Sequence, residues 1–281
     1  MREKVFTFGP GKGIVGVLTE PDASVLRPDA PVAISSNVGM HSHSGPHRLY
    51  VDLARSLASR GYPMLRFDLS GQGDSAPRTE RVNEFERAVL DVRDAMDALT
   101  ERAGAERFVP LGLCSGVDST HSIARDDRRV AGAIFIEGYT YRTREFQLRH
   151  YGKRFLSRRF WEMYGKRKLA EYTERLAGQQ GTDGPAQVIY SRNYPSLEQL
   201  ERDYTAMLTR EAALLFVFAG GMHSMYGYNY EGQFADLLPS IARDRRVDVT
   251  FFPKADHVYT ALVDRRLLVD RIVAWFGARF P

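Results

Sequence analysis

Short apolar runs alternate with longer stretches of helical period along most of the 281-residue chain. Val5–Phe8, Gly13–Thr19, Val32–Ser36, Pro63–Phe67, Phe108–Leu111, Ala131–Ile136, Leu214–Phe218 and Val247–Phe252 read as strands. Leu49–Arg60, Asn83–Arg102, Val117–Arg125, Gln233–Ala242 and Leu262–Ala278 read as helices. In the first of these, Tyr50, Leu53, Ala54 and Leu57 follow the spacing of one buried helix face. Gly61 then stands where a left-handed cap ends a helix, just before the Pro63 strand. On Asn83–Arg102, the acids Glu84, Glu86, Asp91, Asp94 and Asp97 fall on one broad face expected to be solvated. Strands alternating with helices predict an α/β fold: a mostly parallel, eight-stranded sheet with helices on both faces.

One segment breaks the alternation. About 75 residues separate the strand ending near Ile136 from the one starting near Leu214, far more than an ordinary connection. Within them, Arg144–Phe155, Arg159–Leu176 and Leu197–Glu211 read as helices, and Gly178–Gly184 as a flexible break. The expected organisation is a core of residues 1–138 and 212–281 with a helical cap, residues 139–211, inserted over the C-terminal edge of the sheet. Ligands bind at that edge in open α/β folds.

Composition changes this picture little: 43% hydrophobic and 26% charged residues suit a soluble globule with a substantial core. A single cysteine excludes an internal disulfide framework and fits a reducing compartment. The start of the chain lacks a signal-like apolar region, and no apolar run nears the ~18–20 residues that span a bilayer. A cytoplasmic protein is expected.

Charge matters more. The net charge is +4, yet Tyr141–Lys168 alone carries ten Lys and Arg against Glu145 and Glu162, a net +8. The plain reading is a solvated basic face. The functional one is attraction of an anionic partner, such as coenzyme A phosphates or an acidic acyl carrier protein. No motif supports nucleic acid, and a membrane surface would want a cleaner apolar face opposite the charges.

The candidate chemistry centres on Gly112-Leu113-Cys114-Ser115-Gly116, directly after a strand and before a helix. G-x-C-x-G is the nucleophile-elbow pattern with cysteine where serine is usual. The two glycines are expected to be required because a β-carbon at either would clash in so sharp a turn. The competing reading is a buried, inert cysteine. A thiol needs a base, and His257 lies between the last strand and the last helix, at the same sheet edge. The usual acid position, the loop Ala219–Met225, contains no carboxylate. Glu137, ending the run Ala133–Ile136, is the candidate that orients His257; pairing with Arg142 is its structural alternative. Asp256 is expected to brace its own loop.

The oxyanion hole would use the Ser115 N–H and one from Val38, Gly39 or Met40, in the loop after the third strand. His41, His43 and His47 in the same region could suggest a metal, but no ligand carboxylate accompanies them in sequence, and neither metal nor cofactor is expected. For substrate, the candidates are Tyr139 and Tyr226, with Tyr228 and Tyr230 nearby, and the cap arginines Arg158 and Arg159.

Together these residues resemble the α/β-hydrolase superfamily over roughly residues 13–140 and 210–281. The run Leu65-Arg-Phe-Asp-Leu-Ser-Gly-Gln-Gly-Asp-Ser75 is similar to the R-x-D-x-x-G-x-G-x-S loop of that superfamily, in which Asp68 and Ser75 would be structural. Gly45-Pro-His-Arg-Leu-Tyr50 resembles hydrolases found beside exopolysaccharide or acyl-assembly genes. Cysteine at the elbow is similar to dienelactone hydrolases and to some thioesterase or acyltransferase members. Acids displaced to the earlier strand occur in some members as well. The resemblance implies an α/β-hydrolase fold and a Cys114-His257-Glu137 acyl-transfer enzyme acting on a thioester or ester. The alternatives are a small-ester or lactone hydrolase, and a catalytically silent scaffold that binds an anionic partner.

Overall fold

A computed structural model describes residues 1–39, 41–155, 194–221 and 227–281. The strands are β1 (Arg2–Phe8), β2 (Ile14–Glu20), β3 (Val32–Ser36), β4 (Met64–Phe67), β5 (Phe108–Leu113), β6 (Gly132–Ile136), β7 (Ala213–Ala219) and β8 (Val247–Phe252). They form one eight-stranded sheet in the order β1-β2-β4-β3-β5-β6-β7-β8. β2 is antiparallel to both its neighbours, and all other pairs are parallel. The first strand starts three residues before the apolar signal at Val5, because Arg2, Glu3 and Lys4 pair in register with Glu20, Thr19 and Leu18 at the sheet's edge. The Lys4–Glu20 ion pair of 2.7 Å closes that edge.

Side-chain alternation sorts the core into two layers. Ala133, Phe135, Leu214, Phe216 and Phe218 point to one face, while Ile134, Ile136, Leu215, Val217 and Ala219 point to the other. Both sets are apolar, as a sheet covered on both sides requires. Helices α2 (Glu84–Ala103) and α3 (Gly116–Asp126) cover the first face, and α1 (Leu49–Ala58) the second. Helix α4 (Arg144–Phe155) and helix α5 (Leu197–Thr209) occupy the ends of the long connection between β6 and β7. The expected helix Arg159–Leu176 and the Gly178–Gly184 break lie outside the described residues. Among the described residues no helix is long and apolar enough to cross a membrane.

Two expectations are corrected here. Gln233–Ala242 is not one helix but two short ones, α6 (Gln233–Leu237) and α7 (Pro239–Ala242). Pro239 lacks an N–H and disfavours helical geometry in the residue before it, and Leu238 is at φ −134°, ψ 64°. Asp91, placed by its periodicity on a solvated face, is fully buried. Its carboxylate accepts the Ser70 N–H (2.7 Å) and the Arg78 guanidinium (2.7 Å), so it ties α2 to the loop after β4. The last helix, α8 (Leu262–Arg279), packs beside α1 through Leu268, Val269, Ile272, Trp275 and Phe276.

Helix α5 is fastened to α3 by a buried pair, His121 Nε2 lying 3.3 Å from Asp203 Oδ2. The His121 ring also meets Tyr139 and Tyr204 edge-on, at 5.5 Å each. Burial pulls the His121 pKa down from 6.5 to about 4, against the opposite pull of Asp203. The ring is therefore neutral in the fold, and the unfolded chain binds a proton that the folded chain excludes. Its contribution to stability is whole above the unfolded value of 6.5 and is lost as pH falls toward 4. Urea unfolding should show wild type losing up to ~3 kcal/mol more than His121→Gln across that interval, since glutamine cannot titrate. Equal losses would assign the acid sensitivity to other groups.

Candidate active site

The elbow is built by backbone geometry. Cys114 sits at φ +53°, a left-handed conformation that costs about 1–2 kcal/mol in a residue with a side chain. Its N–H is held by Ile136 O at 2.9 Å, which pins the turn to the end of β6. A Cβ at Gly112 would lie 2.2 Å from Gly116 O, so glycine is obligatory there. The second glycine is different: a Cβ at Gly116 would meet only Val38 Cγ2, at 3.9 Å. The expected clash at that position is absent, and what Gly116 gives instead is open room beside Val38.

Ser115 caps α3 at φ −62°, ψ −28°, and the first-turn N–H groups of Val117 and Asp118 turn back to Cys114 O (3.1 Å) and Ser115 O (3.2 Å). First-turn N–H groups of a helix have no carbonyl four residues earlier to bond. That end of α3 thus presents partial positive charge next to the Cys114 sulfur.

Glu137 follows β6 at φ +52° and is 4% exposed. Its carboxylate bridges two elements: Oε1 accepts the Ala219 N–H at the end of β7, and Oε2 lies 3.1 Å from His257 Nδ1. The alternative partner, Arg142, instead lies over the Phe146 ring at 5.6 Å. His257 is 6% exposed. Cys114 also acts on its charge. Burial pulls the His257 pKa down, but the bond to Glu137 and the influence of Cys114 outweigh it and push it up to about 9. Burial likewise raises the Glu137 carboxyl, opposed by its bond to His257.

The usual acid position is empty for a steric reason. A Cβ at Gly221 would lie 2.6 Å from Ala255 O, and one at Gly220 2.9 Å from Pro253 O. The chain after β7 is pressed against the loop that carries His257, with Gly221 N–H donating to Ala255 O at 2.8 Å. Asp256 braces that loop, accepting from Val258 N–H (3.0 Å) and Thr260 N–H (3.1 Å). Tyr259 completes it, fully buried at φ +54°. Tyr50, also fully buried, packs in the same layer as Leu113 and Cys114. Tyr50 reads from sequence as a helix-face residue that closes the Gly45–Tyr50 run, and nothing in the local pattern of Tyr50 or Tyr259 marks proximity to the elbow.

The loop after β3, the candidate oxyanion loop, is held by the R-x-D-x-x-G-x-G-x-S run. Asp68 accepts from His43 N–H (2.6 Å) and Asp74 N–H (3.2 Å), and its Oδ2 lies 2.9 Å from His43 Nδ1. Burial works to raise the Asp68 pKa, but these bonds hold it below the usual carboxylate value. Asn37 accepts the Leu69 N–H at 2.8 Å and donates to Gln72. Ser75 donates to Asp68 O (2.6 Å) and accepts the Val15 N–H (2.9 Å). Val38 is buried, and Gly39 is exposed at φ +51°; Met40 lies outside the described residues.

Among the described residues, one of these histidines gains carboxylate neighbours that the sequence did not reveal: ligand atoms of His43, Asp68 and Asp74 come within 4.8 Å of one another. Asp68 spends its oxygens on the loop bonds just described, which makes the cluster a clasp between the two loops.

Of the substrate candidates, Tyr139 is half-buried and packs edge-on against His121 and Tyr194, at 5.5 and 5.6 Å. Tyr226, Arg158 and Arg159 lie outside the described residues. Tyr228 is buried in the core and stacked on Phe218 at 4.1 Å, and Tyr230 donates to Asp236 at 2.7 Å.

No curated protein matches this chain. Solved structures do. The esterase domain of a Rhodothermus marinus protein aligns at TM-score 0.54 and 19% identity, covering 99% of this chain and 98% of that one. Pyrococcus furiosus esterase Pf2001 aligns at 0.61 and 13% identity, with 100% and 92% covered. The α/β hydrolase GrgF from Penicillium sp. sh18 aligns at 0.59 and 15% identity, with 99% of both chains covered. These likenesses establish the α/β-hydrolase fold. Residues 27–183, more than half of the chain, match the family described as serine aminopeptidase, S33, and the chain belongs to that family of hydrolases.

Proposed function

We propose that this hydrolase acts by acyl transfer through a cysteinyl acyl-enzyme, as a thioesterase or acyltransferase. The observation that carries the reading is the buried pair of His257 Nδ1 and Glu137 Oε2, 3.1 Å apart, with Cys114 of the elbow among the groups that raise the His257 pKa. The family is described by its serine enzymes, and sulfur at the elbow is this chain's departure from it.

In the proposed cycle, the Cys114 sulfur bonds to the carbonyl carbon of a thioester or ester while its proton rests on His257. The resulting oxyanion accepts from the Ser115 N–H and from the loop at Val38, Gly39 or Met40. Collapse breaks the carbonyl–leaving-group bond, and the departing thiolate or alkoxide takes the proton from His257. Water or an acceptor nucleophile then attacks the acyl-enzyme, gives its proton to His257, and releases the acyl product. The proton returns to sulfur. Glu137 holds the ring through Nδ1 and stabilises its charged form.

A thioester substrate suits a thiol nucleophile because one thiol replaces another at similar energy. The basic run Tyr141–Lys168 favours an anionic carrier, coenzyme A or an acidic carrier protein. Tyr139, Tyr226, Arg158 and Arg159 are the residues proposed on the substrate side, within a cap spanning residues 139–211. The esterases among its structural neighbours fit an ester-type carbonyl.

Intact-protein mass spectrometry after exposure to acyl-CoA and acyl-N-acetylcysteamine thioesters tests this directly. Wild type should gain the mass of one acyl group, and Cys114→Ala should gain none. Neither an adduct nor thiol release from any of the panel would overturn acyl transfer from thioesters and leave a binding scaffold as the better account. Turnover of small neutral esters and lactones alone would identify the hydrolase alternative.

His257→Ala should lower kcat/KM by roughly 100- to 10,000-fold. Glu137→Gln should cost less, roughly 10- to 100-fold, because a thiol ionises without much help. The pH profile separates orientation from packing. Protonated His257 must supply the leaving group, so kcat/KM should fall on the alkaline side near pH 9, where the raised pKa lies. Removing the Glu137 charge lowers that pKa, so the alkaline limb of Glu137→Gln should move to lower pH. An unmoved limb would show that Glu137 does not act on His257.

A further inference from the structure

We propose that the outer face of α8 is a two-fold interface between two copies of this chain. The helix is apolar on two sides. Leu268, Val269, Ile272, Trp275 and Phe276 are buried against the sheet, yet Leu262, Val263 and Leu267 on the outward side are 51%, 63% and 49% exposed. A helix that is apolar on both sides is normally covered on both. Val263, Arg266, Leu267 and Asp270 follow the spacing of a single stripe, so the exposed apolar ridge runs directly into a pair of opposite charges.

Beside this ridge a groove of about 490 Å³ runs between α1 and α8, lined by Asp52, Arg55, Leu262, Arg266, Val269 and Asp270 among others. Two of the cations around it are already committed. Arg55 binds Glu3 at 2.8 Å, and Arg265 donates to Thr260 O at 3.0 Å. Arg266, Asp270 and Asp52 form no ion pair with any described residue. Arg266 precedes Asp270 by one turn, the weaker order for a pair within one helix.

Unpaired charges of both signs, one turn apart and flanked by an apolar ridge, complement themselves under a two-fold rotation. Two α8 helices packed antiparallel, centred between Leu267 and Val269, set Arg266 of each opposite Asp270 of the other. The ridge of one copy then faces the groove of the other. Such a contact is isologous: the same patch serves on both sides and closes after two copies. A partner of uniform charge would match only half of it. The interface also adjoins the loop that carries His257, because Arg265, in the first turns of α8, holds the carbonyls that follow that histidine.

Sedimentation equilibrium at micromolar concentration, with light scattering as a check, reads the result as a mass. Wild type should sediment at twice the 31.8 kDa of one chain. Leu267→Glu, an exposed substitution expected to keep the wild-type far-ultraviolet circular dichroism, should sediment as a monomer. Arg266→Asp and Asp270→Arg should each do the same, and the two combined should restore the dimer by exchanging the charges. A monomeric wild type would overturn the proposal. So would a dimer that survives Leu267→Glu with its mass unchanged, since that dimer uses another surface.

Discussion

The Glu137 carboxylate is the constraint on which the rest of the site depends. A buried carboxylate costs several kcal/mol unless hydrogen-bond donors surround it. Here one donor is the Ala219 N–H at the end of β7, and the second is the His257 ring carried on the loop after β8. One side chain thus joins the exits of three neighbouring strands. Parallel register makes the reach possible: Ile136 pairs with Val217, so the residue after β6 comes level with the residues closing β7. With its charge satisfied from that position, the chain after β7 has no acid to present, and Gly220 and Gly221 can press against residues 253–255.

The same edge concentrates backbone strain. Cys114, Glu137 and Tyr259 are all non-glycine residues in the left-handed region, each at the point where a strand or loop turns. Such residues persist only where their surroundings over-determine them. At Cys114 the surroundings are the Ile136 carbonyl and the contact-limited Gly112; at Glu137 they are the Val217 carbonyl and the two donors on its side chain. The strain sets Cys114, Glu137 and the loop of His257 at one sheet edge, and the Glu137 carboxylate meets the imidazole there.

How much of this was legible in the sequence follows from the range of each interaction. The elbow is a strand, a turn and a helix within a dozen residues, so the Gly112–Gly116 pattern marks it locally. His257 and Glu137 were legible because strand periodicity places both at one sheet edge. What failed was longer-range or conditional. Asp91 has the period of a surface residue, and only the approach of Arg78 and Ser70 buries it. The carboxylates beside His43 come from a loop 25 residues away. Gly116 carries the elbow signature, although the clash that justifies a glycine occurs at Gly112 alone. The break at Leu238 was legible through Pro239 but was outweighed by apolar periodicity on both sides.

The electrostatics of the pair argue for sulfur over oxygen at this elbow. Glu137 and Cys114 together hold the His257 imidazole protonated up to about 9. A protonated ring cannot take a proton, so a serine here would wait for the minor neutral form. A thiol has an ordinary pKa near 8.5 and gives up its proton far more readily. A charged sulfur and a charged ring stabilise each other. Part of the rise in His257 comes from Cys114 itself, and replacing sulfur by a neutral hydroxyl would remove that part. Glu137 would remain, buried and fixed, still favouring the charged ring. Under the proposed reading, the displaced acid and the cysteine are therefore one adaptation: a carboxylate seated this deeply suits a nucleophile that gives up its proton more readily than a hydroxyl.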